Sequence, residues 1–255
     1  MTANRRRDLG QQAKRVFEDQ FLKLLAVESV ELAERTLREI SSGSPTRVLE
    51  IGSAGGVVSR LRPHWTTADV VQADEVEVLL PLDGGLPFED NSFSMIFMQD
   101  TLHHLQDLDK FSSEAFRVLE PEGIIFCREP YWGPVSQVVF RFFHPEEFSL
   151  KKLVAHRRDS DPMSGNQALA WSLVSGKGFA GRAHPLKEFS PKFLKAANGL
   201  AFLLSGGATF TTSVDRTSLV KLHRWERSRP AWLRFFGVAA FLVFISNKPK
   251  KGPAT

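Results

Sequence analysis

Residues 47–56, Arg47-Val48-Leu49-Glu50-Ile51-Gly52-Ser53-Ala54-Gly55-Gly56, combine a carboxylate with a run of small residues. The apolar first half reads as a buried strand, and the second half removes side chains where the backbone must turn sharply. A strand opening into such a loop lets a cofactor lie directly on the backbone. Glu50, at the strand's end, can accept hydrogen bonds or face a positive centre. A plain strand-to-helix turn uses the same residues, so the rest of the chain decides between the two.

Further acidic residues and a histidine recur at comparable places. Residues 66–70 read as a second strand ending in Asp69, whose carboxylate can grip both ribose hydroxyls of an adenosine. Asp74, Glu75 and Glu77 are the nearby alternatives. Residues 76–82 read as a third strand running into Asp83-Gly84-Gly85-Leu86-Pro87-Phe88, where Asp-Gly-Gly also suits a turn with φ > 0. Residues 93–98 read as a fourth strand leading into Gln99-Asp100-Thr101-Leu102-His103-His104-Leu105. An imidazole of ordinary pKa can take a proton from a hydroxyl, or can pack and hydrogen-bond within a pocket floor. A helix from about Asp109 precedes a turn at Glu120-Pro121-Glu122-Gly123 and a fifth strand over 124–127. Arg128, Glu129, Pro130, Tyr131 and Trp132 leave that strand's carboxyl end, the side on which open α/β sheets bind ligands. Glu129 is therefore a candidate base or substrate ligand.

Several nucleotide and metal sites are excluded by spacing. The dinucleotide fingerprint G-x-G-x-x-G would place glycine at 54 and a small residue at 57, where the chain has Ala54 and Val57. No Lys-Ser/Thr follows the glycines, as a phosphate P-loop requires. The histidines include no H-x-H or H-E-x-x-H spacing, so no metal site is expected. The loop instead resembles the E-x-G-x-G-x-G motif of class I S-adenosylmethionine-dependent methyltransferases, with Glu50, Gly52 and Gly56 matching and Ala54 in place of the middle glycine. Asp83 to Phe88 resembles their D-x-x-x-L-P-F segment with one residue fewer, Leu82 being the position reached by ungapped counting. The Leu-His-His of 102–104 resembles their segment after the fourth strand. Over roughly residues 45–130 the chain is similar to small-molecule, type-11-like methyltransferases.

That resemblance implies S-adenosyl-L-methionine as cofactor, held by Glu50, Gly52, Ser53, Ala54, Gly56, Asp69, Asp83, Gly84, Gln99 and Asp100. Asp83 would address the adenine amino group, Gln99 and Asp100 the methionine portion, and His103 would stand near the transferred methyl as the catalytic candidate. The implied fold is α/β: a doubly wound, mostly parallel seven-stranded Rossmann-like sheet. Its last strand is antiparallel and inserted beside the fifth, the sixth lies at the edge, and insertions form a helical cap. The expected reaction is methyl transfer to a small-molecule, glycan-linked or lipid-like acceptor, at oxygen. The alternative is a non-catalytic cofactor-binding or interaction subunit with the same fold. A nicotinamide-dependent oxidoreductase is disfavoured by the glycine spacing.

The elements that must position these residues divide the chain into 1–43, a helical segment; 44–130, the cofactor-binding core; 131–230, an inserted cap or substrate region with the sixth strand; and 231–255, the last strand and a basic tail. Residues 11–40 have helical periodicity, with Phe17, Phe21, Leu24 and Leu25 on one face, and predict one long helix or two shorter ones. In the resembling enzymes such a segment lies over the cofactor pocket, whereas a helix that only covers the sheet is the alternative. Beyond residue 130 the strand–helix alternation breaks. Trp132, Phe140, Phe142, Phe143, Trp171, Phe202 and Phe210 there read either as core or as a lid over an apolar acceptor. Arg128, Arg141, Lys151 and Lys152 could meet an anionic headgroup or phosphate. Residues 186–189 are the candidate sixth strand, 215–229 a helix ended by Pro230, and 235–245 a buried last strand, too short for a membrane span of ~20 residues.

Composition agrees with this organisation. Hydrophobic residues at 42% and charged residues at 24% fit a globular chain rather than a disordered one or a membrane bundle. The formal charge of +4 is scattered except at the ends, where Arg5 to Arg7 and Lys248, Lys250 and Lys251 gather, so nucleic acid is not expected as a partner. The expected partner is a small-molecule acceptor, apolar or anionic, with peripheral membrane contact left open. The single cysteine, Cys127, excludes an internal disulfide and a thiolate cluster and reads as a core residue. No apolar run follows the N-terminal arginines as a signal peptide requires, and a cytoplasmic location is expected.

Overall fold

The computed structural model describes residues 11, 13–41, 47–143, 147–150, 153, 165–177, 184–207 and 212–249. The expectations placed on Arg5 to Arg7, the Phe143 side chain, Lys151, Lys152, Phe210, Lys250 and Lys251 lie outside them. The centre is a seven-stranded sheet in the order β3-β2-β1-β4-β5-β7-β6. Its strands are β1 (Val48–Ile51), β2 (Thr66–Asp69), β3 (Val78–Leu79), β4 (Phe93–Gln99), β5 (Leu119–Pro130), β6 (Phe189–Ala197) and β7 (Ala239–Ser246). β1 to β5 are parallel, and β7 runs antiparallel between β5 and the edge strand β6. This is the expected doubly wound sheet with its inserted last strand.

Both faces of the sheet are buried, and strand alternation divides the side chains between them. Leu49, Ile51, Ile96, Met98, Ile125, Cys127, Leu242 and Phe244 pack on one face against α4 (Leu108–Val118) and α6 (Leu169–Ser175). Val48, Met95, Phe97, Ile124, Phe126, Phe241 and Val243 pack on the other against Val30, Ala33 and Leu37 of α2 (Gln20–Ile40). The N-terminal periodicity resolves into two helices because Asp19 breaks it. Asp19 is extended at φ −94 and ψ 111, and its Oδ1 accepts from the amides of Phe21 and Leu22 at 2.9 and 3.1 Å, ending α1 (residues 13–18) and capping α2. Asp107 caps α4 by accepting from the Lys110 amide at 2.9 Å. α2 therefore covers the sheet.

Four expected boundaries move. β3 pairs with β2 only at Val78 and Leu79, because Pro81 and the Asp83-Gly84 turn follow at once. Leu119 already pairs with Phe93, and the turn of 120–123, with Glu122 at φ 62, bulges out before pairing resumes at Ile124. β6 occupies 189–197 rather than 186–189. Its exposed Ser190, Pro191 and Lys192 hide the strand pattern, as residues of an edge strand do. Phe235 and Phe236 belong to α9 (Pro230–Phe236), and Gly237 separates them from β7. The remaining elements are α3 (Val57–Leu61), α5 (Pro134–Phe143), α7 (Leu200–Ser205) and α8 (Arg216–Arg227). Among the described residues no helix is long and apolar enough to cross a membrane.

Candidate functional site

The small-residue loop after β1 is clasped by β2. The amides of Gly52 and Ser53 donate to the Ala68 carbonyl at 3.0 and 3.3 Å, and the Ala54 amide donates to Oδ2 of Asp69 at 2.9 Å. Oδ1 of Asp69 accepts from the Val71 amide at 2.9 Å. Burial raises the Asp69 pKa, while the amides of Ala54, Val71 and Val70 oppose the rise. Gly52 has φ +92, a conformation that L residues rarely adopt. The methyl of Ala54, the residue standing where the motif has glycine, packs with Val71 and Val76. The Glu75 carboxylate lies over Gly56 and pairs with Arg60 at 3.1 Å, and Glu77 reaches the Thr67 amide at 3.4 Å.

Beside this loop, at the carboxyl ends of β1, β2 and β3, a cleft encloses about 550 Å³ of atom-free space, part of it open to solvent. Gly52, Asp69 and Gly84 of the expected binding residues line it, together with Val70, Leu80, Leu86, Thr101, His104, Gln106 and Phe111. None of this second group was singled out as a binding residue in the sequence. Gln106 follows the Leu-His-His-Leu run directly, and that proximity was the available signal. Nε2 of Gln106 is buried with no hydrogen-bond partner among the described residues. Asp83 itself turns outward, accepts from the Gly85 amide at 3.1 Å and pairs with Lys110, whose hydrogen bond lowers its pKa.

Glu50 and Gln99 take the opposite face. Ile51 lines the cleft, so strand alternation points Glu50 toward the α2 side, where it sits in register with Phe97. Oε2 of Glu50 and Oγ of Ser53 are buried without hydrogen-bond partners among the described residues. Burial, then the charge of Asp69, pushes the Glu50 pKa up to about 8. Gln99 ends β4 in register with Arg128. Asp100 follows at φ 51, its amide donating to the Arg128 carbonyl at 2.7 Å and its carboxylate pairing with the Arg128 guanidinium. The residues expected to bind the cofactor thus divide between the two faces of one strand end.

Glu129 is wholly buried and organises the turn after β4. Its Oε1 accepts from the amides of Thr101 and Leu102 at 2.9 and 2.7 Å, and its Oε2 lies 2.5 Å from Nδ1 of His103. Burial works to raise its pKa, but the charge and hydrogen bond of His103 and the two amides outweigh that and leave it lowered. His103 is 3% exposed, and its ring lies tilted by 38° with its centroid 4.1 Å from that of His104, which is the histidine that lines the cleft. Among the described aromatics read either as core or as a lid, most pack on other rings. Trp171 packs with Tyr131 and Phe193, Trp132 and Phe140 pack on Phe148, and Phe142 is 76% exposed.

This sheet order, with its antiparallel seventh strand and a glycine-loop cleft at the carboxyl ends, is the class I methyltransferase fold. Residues 49–127 match the family described as a methyltransferase domain. A glycine/sarcosine/dimethylglycine N-methyltransferase of Actinopolyspora halophila is 25% identical over 126 residues, 42% of this chain and 22% of that protein. A ubiquinone/menaquinone biosynthesis C-methyltransferase of Psychromonas ingrahamii is 31% identical over 129 residues, 48% of this chain and 46% of that protein. The chain thus spans less than half the length of these relatives. A solved structure, the YcgJ protein of Bacillus subtilis, aligns at 18% identity and a TM-score of 0.46, over 87% of this chain and 99% of its own.

S-adenosylmethionine suits the residues present. The cleft offers apolar walls for a flat base, the Asp69 carboxylate and an unsatisfied Gln106 amide beside them, and the backbone of Gly52 in its wall. The unpaired Glu50 carboxyl lies under the same loop, where a cationic group would relieve it.

Proposed function

We propose that the chain transfers a methyl group from S-adenosyl-L-methionine to a small-molecule acceptor. The observation that carries this reading is the cleft between the Gly52 loop, Asp69 and the turn after β3, with an unsatisfied amide in its wall. Asp69 and Gln106 would hold the adenosine end among Val70, Leu80, Leu86 and Phe111, and Glu50 and Gln99 would stand toward the methionine end. When bound, the cofactor supplies an electrophilic methyl on a sulfonium. The chain's task is then to align donor and nucleophile and to exclude water, which alone can account for much of the rate.

The finer reading is oxygen methylation of an apolar or lipid-like, or glycan-linked, acceptor with His103 as general base. Its support is Glu129: its Oε2 lies 2.5 Å from Nδ1 of His103, and with its pKa lowered it stands as a carboxylate that can orient the ring. A screen of metabolite fractions with a methyl-labelled donor tests the activity. Label appearing on an acceptor hydroxyl supports the full reading, label on carbon or nitrogen removes the base from it, and no label with intact cofactor binding favours a binding subunit.

A further inference from the structure

A second cavity, of about 540 Å³ of atom-free space partly open to solvent, lies at the other end of the sheet, where α2 and α8 meet the end of β6. Glu28, Lys195, Asn198, His223 and Arg227 supply its polar wall, and Phe241 supplies apolar surface. The register of β6 against β7 shifts between Phe193 and Lys195, so a bulge precedes the lysine. Its ammonium lies 5.6 Å from the ring centroid of Phe241, a residue of the core on the α2 side of the sheet. Lys195 is therefore half-buried on that side, and no carboxylate pairs with it among the described residues.

Glu28 is the carboxylate in this wall, and it is already engaged. Its Oε2 takes Nε2 of His223 at 2.8 Å, and its Oε1 takes the Arg227 guanidinium. Burial works to raise the Glu28 pKa, but these two partners outweigh it and lower it. Lys195 has the reverse problem: burial lowers its pKa, Arg227 and Arg35 lower it further, and only Glu28 opposes them. Among the side chains that line the cavity, Lys195 and Arg227 stand against the single carboxylate of Glu28, an excess of one positive charge. Asn198, 4% exposed and at φ 52, adds a side-chain amide that bonds to no protein group among the described residues. A desolvated cation without a partner is costly, and a charge-assisted hydrogen bond removes that cost.

We propose that this cavity is a binding site for the oxyanion of a small molecule, a phosphate or a carboxylate, with Lys195 and Arg227 as its cationic contacts and Asn198 as a neutral donor. Glu28 and His223 position Arg227. The site is distinct from the cofactor cleft. Lys195 is in register with Phe241, Phe241 with Arg128, and Arg128 with Gln99, so three strand spacings separate it from the end of β4, roughly 14 Å along the same rim.

The test is calorimetric titration of the full chain with inorganic pyrophosphate and, separately, with succinate, alongside Lys195→Gln and Lys195→Arg, with the melting temperature of each variant as the fold control. Saturable binding of at least one probe by the wild type is expected, with Kd of about 1 mM or tighter, weakened about tenfold or more in Lys195→Gln and within about threefold in Lys195→Arg. The tighter probe says whether the natural group is a phosphate or a carboxylate. Failure of both probes to saturate the wild type, or equal binding by a folded Lys195→Gln, overturns the proposal. Neither result bears on methyl transfer, which the cofactor cleft tests independently.

Discussion

Gly52 and Thr101 are in such close approach that a Cβ on Gly52 would stand 2.8 Å from Cγ2 and 3.0 Å from Cβ of Thr101. The loop after β1 and the turn after β4 are therefore built against each other, with the cleft beside both. Gly52→Ala adds this clash to the cost of a positive φ, and a loss of roughly 1–3 kcal/mol is expected together with loss of cofactor binding. Thermal unfolding with and without S-adenosylhomocysteine checks both. A variant that melts and responds like the wild type would mean that the loop yields and does not hold the ligand.

Asp69 is expected to serve the loop and the cofactor at once. Asp69→Ala leaves the amides of Ala54 and Val71 without their acceptors, each charge-assisted bond being worth about 1.5–3 kcal/mol, and should weaken cofactor binding at least tenfold. Asp69→Asn keeps one acceptor oxygen, so it should recover much of the stability but less of the affinity. Unchanged affinity in a folded Asp69→Ala would remove Asp69 from the site.

His103 and Glu129 separate by kinetics. If His103 is the base for a hydroxyl acceptor, His103→Gln should lower turnover by about 10²–10⁴ with nearly unchanged cofactor affinity. Glu129→Gln keeps the side chain's shape but weakens its hold on the Thr101 and Leu102 amides and on His103, so it should lower both stability and turnover. Parallel loss of fold and cofactor binding in His103→Gln would assign it to packing of the turn.

Glu50 gives a pH signature. Its folded pKa of about 8 lies above the ordinary 4.5, so between those values the unfolded chain has released a proton that the folded chain keeps. The stabilisation is complete below the unfolded value and is lost as pH rises through the folded one. The urea midpoint of the ligand-free protein should therefore fall from about pH 5 to pH 8 more steeply in the wild type than in Glu50→Gln. Saturating S-adenosylmethionine should flatten the wild-type slope if a cationic group settles beside Glu50. Identical slopes for wild type and Glu50→Gln would show that the carboxyl does not titrate in this window.

The parallel half of the sheet was legible because its signals are local. β1 and β4 are largely apolar runs ending in turn residues, β2 is a short run rich in β-branched threonine, and Asp69 and Gln99 stand at the strand ends where the pattern places them. β6 was misplaced because an edge strand with Pro191, Lys192 and Lys195 has no apolar alternation to read. The site was legible as a set of loops but not as a shape. Nothing local in the sequence says that Asp83 turns outward to Lys110, that Glu50 and Ile51 serve opposite faces, or that Glu129 spends its carboxylate on three partners across the turn. Those outcomes depend on register and long-range pairing.

Cofactor binding in the cleft is the central claim, and calorimetric titration of the folded wild-type chain with S-adenosylmethionine, S-adenosylhomocysteine and NAD(P) tests it most directly. The account predicts saturable one-to-one binding of the two sulfur compounds, abolished in Gly52→Ala and weakened at least tenfold in Asp69→Ala, with no heat from the nicotinamide nucleotides. Absence of binding by S-adenosylmethionine and S-adenosylhomocysteine, or saturable binding of NAD(P), would contradict it.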